Sequence, residues 1–228
     1  MASQVTVQQI QETINVLYEG TSGAPAPGSE DYLMRQTLIN NAIMRWENDE
    51  GYLWHELWTN LEEAADGISE TSPGQSTYVA PGDFKFPGGF VYLYKDGKQK
   101  KKLRVVSPDQ VQNYENSQVA YFTGSPAGSY LLNIQPAPED VYQIGYDYYK
   151  FANRMTAPSQ SPEMSNPQYI THAVVAELHK IDRNMDGYTS SLQDAEDRLR
   201  EMEIRNTMMA PNQTEDISHT HQDWGFGR

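Results

Sequence analysis

Phe90-Val91-Tyr92-Leu93-Tyr94-Lys95-Asp96-Gly97-Lys98-Gln99-Lys100-Lys101-Lys102-Leu103-Arg104-Val105-Val106 is the stretch that decides the fold. Phe90 to Tyr94 and Leu103 to Val106 are rich in aromatic and β-branched residues. Asp96-Gly97 between them is the pair that suits a tight hairpin turn. The spacing of apolar residues is therefore two here, from about Thr77 onward. Two further strands are predicted at Val119 to Thr123 and Tyr130 to Ile134, around the turn Gly124-Ser125-Pro126-Ala127-Gly128. A fifth is predicted from Val141 to Phe151, with a short helical turn from Ser107-Pro108-Asp109 between the two pairs.

Outside this region the spacing becomes helical. Thr6 and Gln9 form a capping-box pattern with Val5 and Ile10 at the staple positions, and Val7, Ile10, Ile14 and Leu17 recur on one stripe before Gly20. After the Gly/Ala/Pro/Ser linker Thr21 to Gly28, a second helix carries Leu38, Ile39, Ala42, Ile43 and Trp46. A third helical stretch is predicted to place Trp54, Leu57, Trp58, Leu61 and Ala65 on one face. Beyond the sheet, Asn166-Pro167 predicts a helix start. Ile170, Val174, Leu178 and Ile181 form its stripe, Asp186-Gly187 a corner, and Leu192, Ala195, Leu199 and Met202 the stripe of a last helix packed back as a hairpin. The expected class is α+β. Residues 1–76 and 152–205 form a helical core, 77–151 an inserted antiparallel sheet, and 206–228 an extended arm.

Charge and composition narrow the function. The chain has 228 residues, 31 acidic against 17 basic, for a net charge of −14. Such a surface repels phosphate backbones, which speaks against sequence-independent nucleic-acid binding. There is no Cys, so disulfides, thiol nucleophiles and cysteine-bound metals are excluded. No basic-then-apolar leader opens the sequence and no run of 18 apolar residues occurs, so a protein without a membrane segment, made in a cytoplasm, is expected. Zinc-protease, nucleophile-elbow, phosphate-loop and dinucleotide motifs are absent, and the expectation is that the chain is not an enzyme and needs no cofactor.

Three stretches carry a resemblance. Leu38-Ile39-Asn40-Asn41-Ala42-Ile43 leads to Trp54. Tyr78-Val79-Ala80-Pro81-Gly82-Asp83-Phe84 opens the sheet, and Leu132-Asn133-Ile134-Gln135-Pro136-Ala137-Pro138 precedes Tyr146-Asp147-Tyr148-Tyr149. In this order they resemble the head–tail connector, or adaptor, proteins of tailed bacteriophages; Ala80 stands where that family usually has Leu. The resemblance implies a structural protein of the virion's head–tail junction, assembled in the host bacterial cytoplasm. It implies a homo-oligomer, a dodecameric ring bound beneath the portal protein. Its other face would meet a tail completion or tail tube/nozzle protein, and DNA would pass through its channel without specific binding. The family's C-terminal tail engages the portal, which makes Trp224, Phe226 and Arg228 the candidate anchors, against the plain alternative of an unstructured tail.

Other residues carry competing readings. Tyr146, Tyr148 and Tyr149 suit a subunit interface, because a phenol packs well while its hydroxyl stays polar. Lys98, Lys100, Lys101 and Lys102 form a basic hairpin that either docks on an acidic partner or merely discourages edge-to-edge pairing. Asp182, Asn184, Asp186, Tyr188 and Gln193 nearly follow the spacing of an EF-hand calcium loop over Asp182-Gln193, which makes a calcium-binding module the alternative function. Gln193 cannot supply the closing bidentate carboxylate, and a polar helix–helix corner explains the same Asp and Gly residues. His219-Thr220-His221 in the arm is a weak metal pattern, and Trp46, Trp54 and Trp58 fit core positions.

Overall fold

A computed structural model describes residues 5–49, 51–61, 70–114 and 117–209. Within them the chain divides into two compact units, one of residues 5–56 with 152–209 and one of residues 57–151. The class is α+β, as the change of period required.

The first unit is helical. Helix α1 (Val7–Glu19) starts on the reciprocal capping box, with the Thr6 hydroxyl accepting from Gln9 N at 3.3 Å and Gln9 Oε1 accepting from Thr6 N at 2.9 Å. It stops at Gly20, whose φ of +71° is the left-handed cap. Val7, Ile10 and Ile14 are buried as the stripe requires, but Leu17 is 47% exposed. Gln11 and Asn15 take the inward positions instead. Asn15 accepts from Arg35 of helix α2 (Glu30–Glu47) at 2.9 Å, and Gln11 reaches the Tyr32 carbonyl. Removing the cap with Thr6→Ala should destabilise the unit by about 1 kcal/mol in urea unfolding. An unchanged midpoint would show that α1 is held by packing alone.

Helices α3 (Gln168–Ile181) and α4 (Met185–Met209) form the expected hairpin. Asn166 accepts from Gln168 N at 3.2 Å and Pro167 has helical angles just ahead of the first α3 residue, so the helix starts within one residue of where the sequence puts it. Ile170, Val174 and Leu178 are buried, whereas Ile181 is 58% exposed at the frayed end. The corner is not Asp186-Gly187 but Asp182-Arg183-Asn184, with Arg183 at φ +61°. Asn184 caps α4 by accepting from Gly187 N at 3.1 Å. A Cβ on Gly187 would meet Asn184 Nδ2 at 2.7 Å and the His179 ring at 2.9 Å, so a larger residue there would require both side chains to shift.

Over the described residues 54–61 the predicted helix does not form. Leu57 closes a single 3-10 turn (His55–Leu57), and strand β1 (Trp58–Asn60) follows, pairing Trp58 with Tyr149; Ala65 lies outside the described residues. Four apolar residues at helical spacing were misleading because an edge-strand partner satisfies the same backbone groups and Trp58 packs edge-on to Tyr149 at 4.7 Å.

The second unit holds two antiparallel sheets. One has the order β1-β7-β3-β4, the other β2-β6-β5, where β2 is Thr77–Val79, β3 Phe84–Lys95, β4 Lys98–Arg104, β5 Val119–Thr123, β6 Leu131–Gln135 and β7 Gln143–Lys150. The β3–β4 hairpin turns at Asp96 (φ +55°) and Gly97 (φ +68°), both left-handed as this two-residue turn demands. The helical turn after Ser107 is Pro108–Tyr114. Both sheets contribute to one core, with Val91, Leu93, Ile144 and Tyr148 from the first and Phe122, Leu132 and Ile134 from the second around Phe84.

Candidate interaction surface

The three stretches that carried the resemblance are structural anchors. Asn40 makes a reciprocal pair with the Met155 backbone, donating to its carbonyl at 3.0 Å and accepting from its N–H at 2.8 Å. Trp54 folds back so that its indole N–H donates to the Trp46 carbonyl at 2.6 Å. Tyr78 pairs with Leu132 across β2 and β6, and Asp83 accepts from the Tyr148 hydroxyl at 2.9 Å while Phe84 pairs with Lys150. Each of these contacts lies within a single unit and braces that unit's own core.

The tyrosines expected at a subunit interface are core residues. Tyr146, Tyr148 and Tyr149 are at most 5% exposed. Tyr146 and Tyr148 lie with Phe84 on one face of β7, and Tyr149 lies against Trp58 on the other. Burial pushes the Tyr149 phenol up to about 12, and burial plus the nearby Asp83 raises that of Tyr146 as well. The misreading has a simple cause. Tyr146 and Tyr148 face the shared core, and on the other face Tyr149 is covered by Trp58, a partner too distant in sequence for alternation to reveal.

The calcium spacing is likewise absorbed by the fold. Asp182 opens the corner and accepts from the Tyr18 hydroxyl, Asn184 is the α4 cap, and Asp186, Tyr188 and Gln193 lie within α4. A twelve-residue loop is not formed, and Gln193 donates along its own helix to Asp197 at 3.1 Å. Among the described residues no group of three His, Asp or Glu converges as a metal site. His172 has one carboxylate beside it, Asp194 at 3.6 Å, and burial lowers its pKa against that neighbour's pull. A cavity of about 300 Å³ in the second unit, lined by Pro81, Pro126, Tyr130 and Phe151 among others, has only Ser129 and Tyr130 as polar side chains. The arm with Trp224, Phe226, Arg228 and the His219-Thr220-His221 pattern lies outside the described residues.

The basic hairpin is where the surface chemistry concentrates. Six of the 17 basic residues (Lys95, Lys98, Lys100, Lys101, Lys102, Arg104) fall within it. They do not act alike. Lys95 pairs with Asp140 at 3.1 Å, which raises its pKa, and Lys101 donates to Gln118 at 2.9 Å above the Tyr142 ring. Lys98, Lys100 and Lys102 are exposed on β4, an outer strand of its sheet. Lys102 Nζ sits 3.7 Å over the ring of Phe90, which is itself 37% exposed. Sequence reading missed Phe90 as a surface group. The signal was its alternation with the buried Val91 and Leu93, which sends Phe90, Tyr92 and Tyr94 to the opposite face.

Among the described residues many polar side chains serve caps, corners and pairing, and the hairpin is a basic surface on an acidic chain. The particular kind of protein follows from comparison with known families. Residues 5–215 match the SU10 adaptor protein family, and the chain belongs to it. That is a phage head–tail adaptor family, so the protein is a bacteriophage structural protein, an adaptor of the virion. No curated protein matches the chain. No helix among the described residues is long and apolar enough to cross a membrane.

Proposed function

We propose that this chain is the repeating subunit of a dodecameric ring that sits under the portal, links the capsid vertex to the tail and leaves a channel for DNA. The observation that carries the reading is the family match, which spans both units and reaches past Met209. Charge supports it: at −14 per copy, a ring presents DNA with a surface that does not hold it as it moves. Closed rings arise from heterologous contacts, one patch meeting a different patch on the next copy. In this reading the arm from Ala210 to Arg228 attaches to the portal through Trp224, Phe226 and Arg228. Large aromatics next to glycines in a polar sequence are suited to fill pockets in a partner. The distal face receives a tail completion or tail tube/nozzle protein.

Mixing the purified protein with portal rings and imaging the product tests this. Decorated portals with twelve copies are expected. A chain that stays monomeric and leaves portals bare overturns the adaptor ring. Truncation after Met209, which keeps α4 whole, should weaken portal binding at least about tenfold, the scale of a hot-spot cluster. Unchanged affinity would remove the arm from the attachment.

A further inference from the structure

We propose that the β3–β4 hairpin of one copy docks, through Lys98, Lys100 and Lys102 around Phe90, onto the acidic outer side of α4 in a second copy. This rests on the ring reading above and names the contact between subunits.

Charge complementarity selects the partner. Residues 1–56 and 152–209 carry 17 acidic side chains against 8 basic, a net −9 that the hairpin's lysines oppose. The densest acidic run with described positions is on α4, where Asp194, Glu196, Asp197, Glu201 and Glu203 face only Arg198 and Arg200 within ten residues. Asp194 and Glu201 are 58% and 54% exposed, and Glu196 and Asp197 are exposed too. Each copy is thus a polyanion with one basic protrusion, which is a self-complementary, head-to-tail pattern. DNA fits the same lysines less well, because it approaches the full −14 of the chain.

The hairpin also has what a bare lysine cluster lacks. Phe90 supplies apolar area at its centre, and the lysine stems can lie along a neighbouring helix while their amines reach carboxylates. Lys101 and Lys95 are tied to Gln118 and Asp140 of their own unit, so the three exposed lysines project from a braced β-ribbon. Steering by such patches sets orientation and on-rate, and weakens with salt.

The test is a charge swap. One variant carries Lys98→Glu, Lys100→Glu and Lys102→Glu; the other carries Glu196→Lys and Asp197→Lys, both at exposed positions. Self-association is followed by sedimentation and by cross-linking mass spectrometry, with circular dichroism to check folding. At about 0.1 M salt each variant alone should associate at least about tenfold more weakly than the natural chain, and the natural chain itself should weaken as salt rises. An equimolar mixture should recover association, because every mixed contact again joins opposite charges, and cross-links should connect β4 to α4 of different copies.

Association of the hairpin variant at the natural strength overturns the inference. So does loss without recovery in the mixture, which would place the lysines' partner on the second copy elsewhere than on α4. A natural chain that stays monomeric also overturns it, but if that monomer still decorates portals the adaptor reading stands on its own.

Discussion

Phe84→Ala is expected to lower the unfolding free energy of the second unit by about 3–5 kcal/mol, the range for emptying an aromatic site in a packed core. Phe84 is 1% exposed and is the centre of the aromatic cluster. Its ring stacks on Phe122 at 4.6 Å and on Tyr148 at 5.6 Å, with Tyr130 at 5.2 Å and Tyr146 edge-on at 6.4 Å. These neighbours come from both sheets, so collapse around the void would require β7 and β5 to move together. The cavity therefore stays largely open, which places the cost near the top of the range. Urea unfolding followed by tyrosine near-ultraviolet dichroism measures it, because the three neighbouring tyrosines, Tyr130, Tyr146 and Tyr148, change environment when the site loosens. A loss below about 1 kcal/mol would mean that the two sheets do not share one core.

What the sequence disclosed depended on how local each cause is. The Thr6–Gln9 box and the Asp96-Gly97 turn are legible because every atom involved lies within a few residues. The exposed ends of the stripes, Leu17 and Ile181, were not legible. Gln11 and Asn15 turn inward only because α2 brings Tyr32 and Arg35 to meet them. Trp58 reads as helical until Tyr149, ninety residues later, offers it a strand. Asp182 to Gly187 illustrates a different limit. Asp, Asn and Gly serve calcium loops and helix caps through the same short side chains and permissive backbone. Only the position of Asn184 relative to Gly187 N decides between them, and it decides for the cap.

The surface was legible in composition but not in role. A run of lysines on a hairpin says nothing about which amines are already engaged, and Lys95 and Lys101 are. Conversely, a row of tyrosines invites an interface assignment that burial removes. The family resemblance was read from residues that turn out to anchor each unit, Asn40, Trp54, Asp83 and Phe84. Such positions persist as a pattern because they set backbone geometry, and surfaces that choose partners need not share it.

Trp54→Ala is the second large effect, an expected loss of about 3–5 kcal/mol from the helical unit. Trp54 is 1% exposed, packs on Trp46 at 5.5 Å and on Tyr52 at 5.6 Å, and donates to the Trp46 carbonyl. Trp54→Phe separates the two contributions. It keeps most of the ring volume and loses the hydrogen bond, while the Trp46 carbonyl still accepts from Asp49 N at 3.2 Å. The Phe variant should therefore cost about 1 kcal/mol beyond the small change in volume, well short of the Ala variant. Equal losses would assign the site to the hydrogen bond and not to burial. The consequence reaches α4. Asn206, itself buried, accepts from His55 N at 2.9 Å and donates to the Leu53 carbonyl at 3.1 Å, so the residues on either side of Trp54 clamp the last turns of that helix. Hydrogen exchange at Asn206 to Met209 should accelerate in Trp54→Ala more than in Trp54→Phe. The proposed arm, residues 210–228, follows directly in the sequence. If it attaches to the portal as proposed, portal affinity should fall in the same order, whereas an arm that does no work would leave affinity flat while exchange rises.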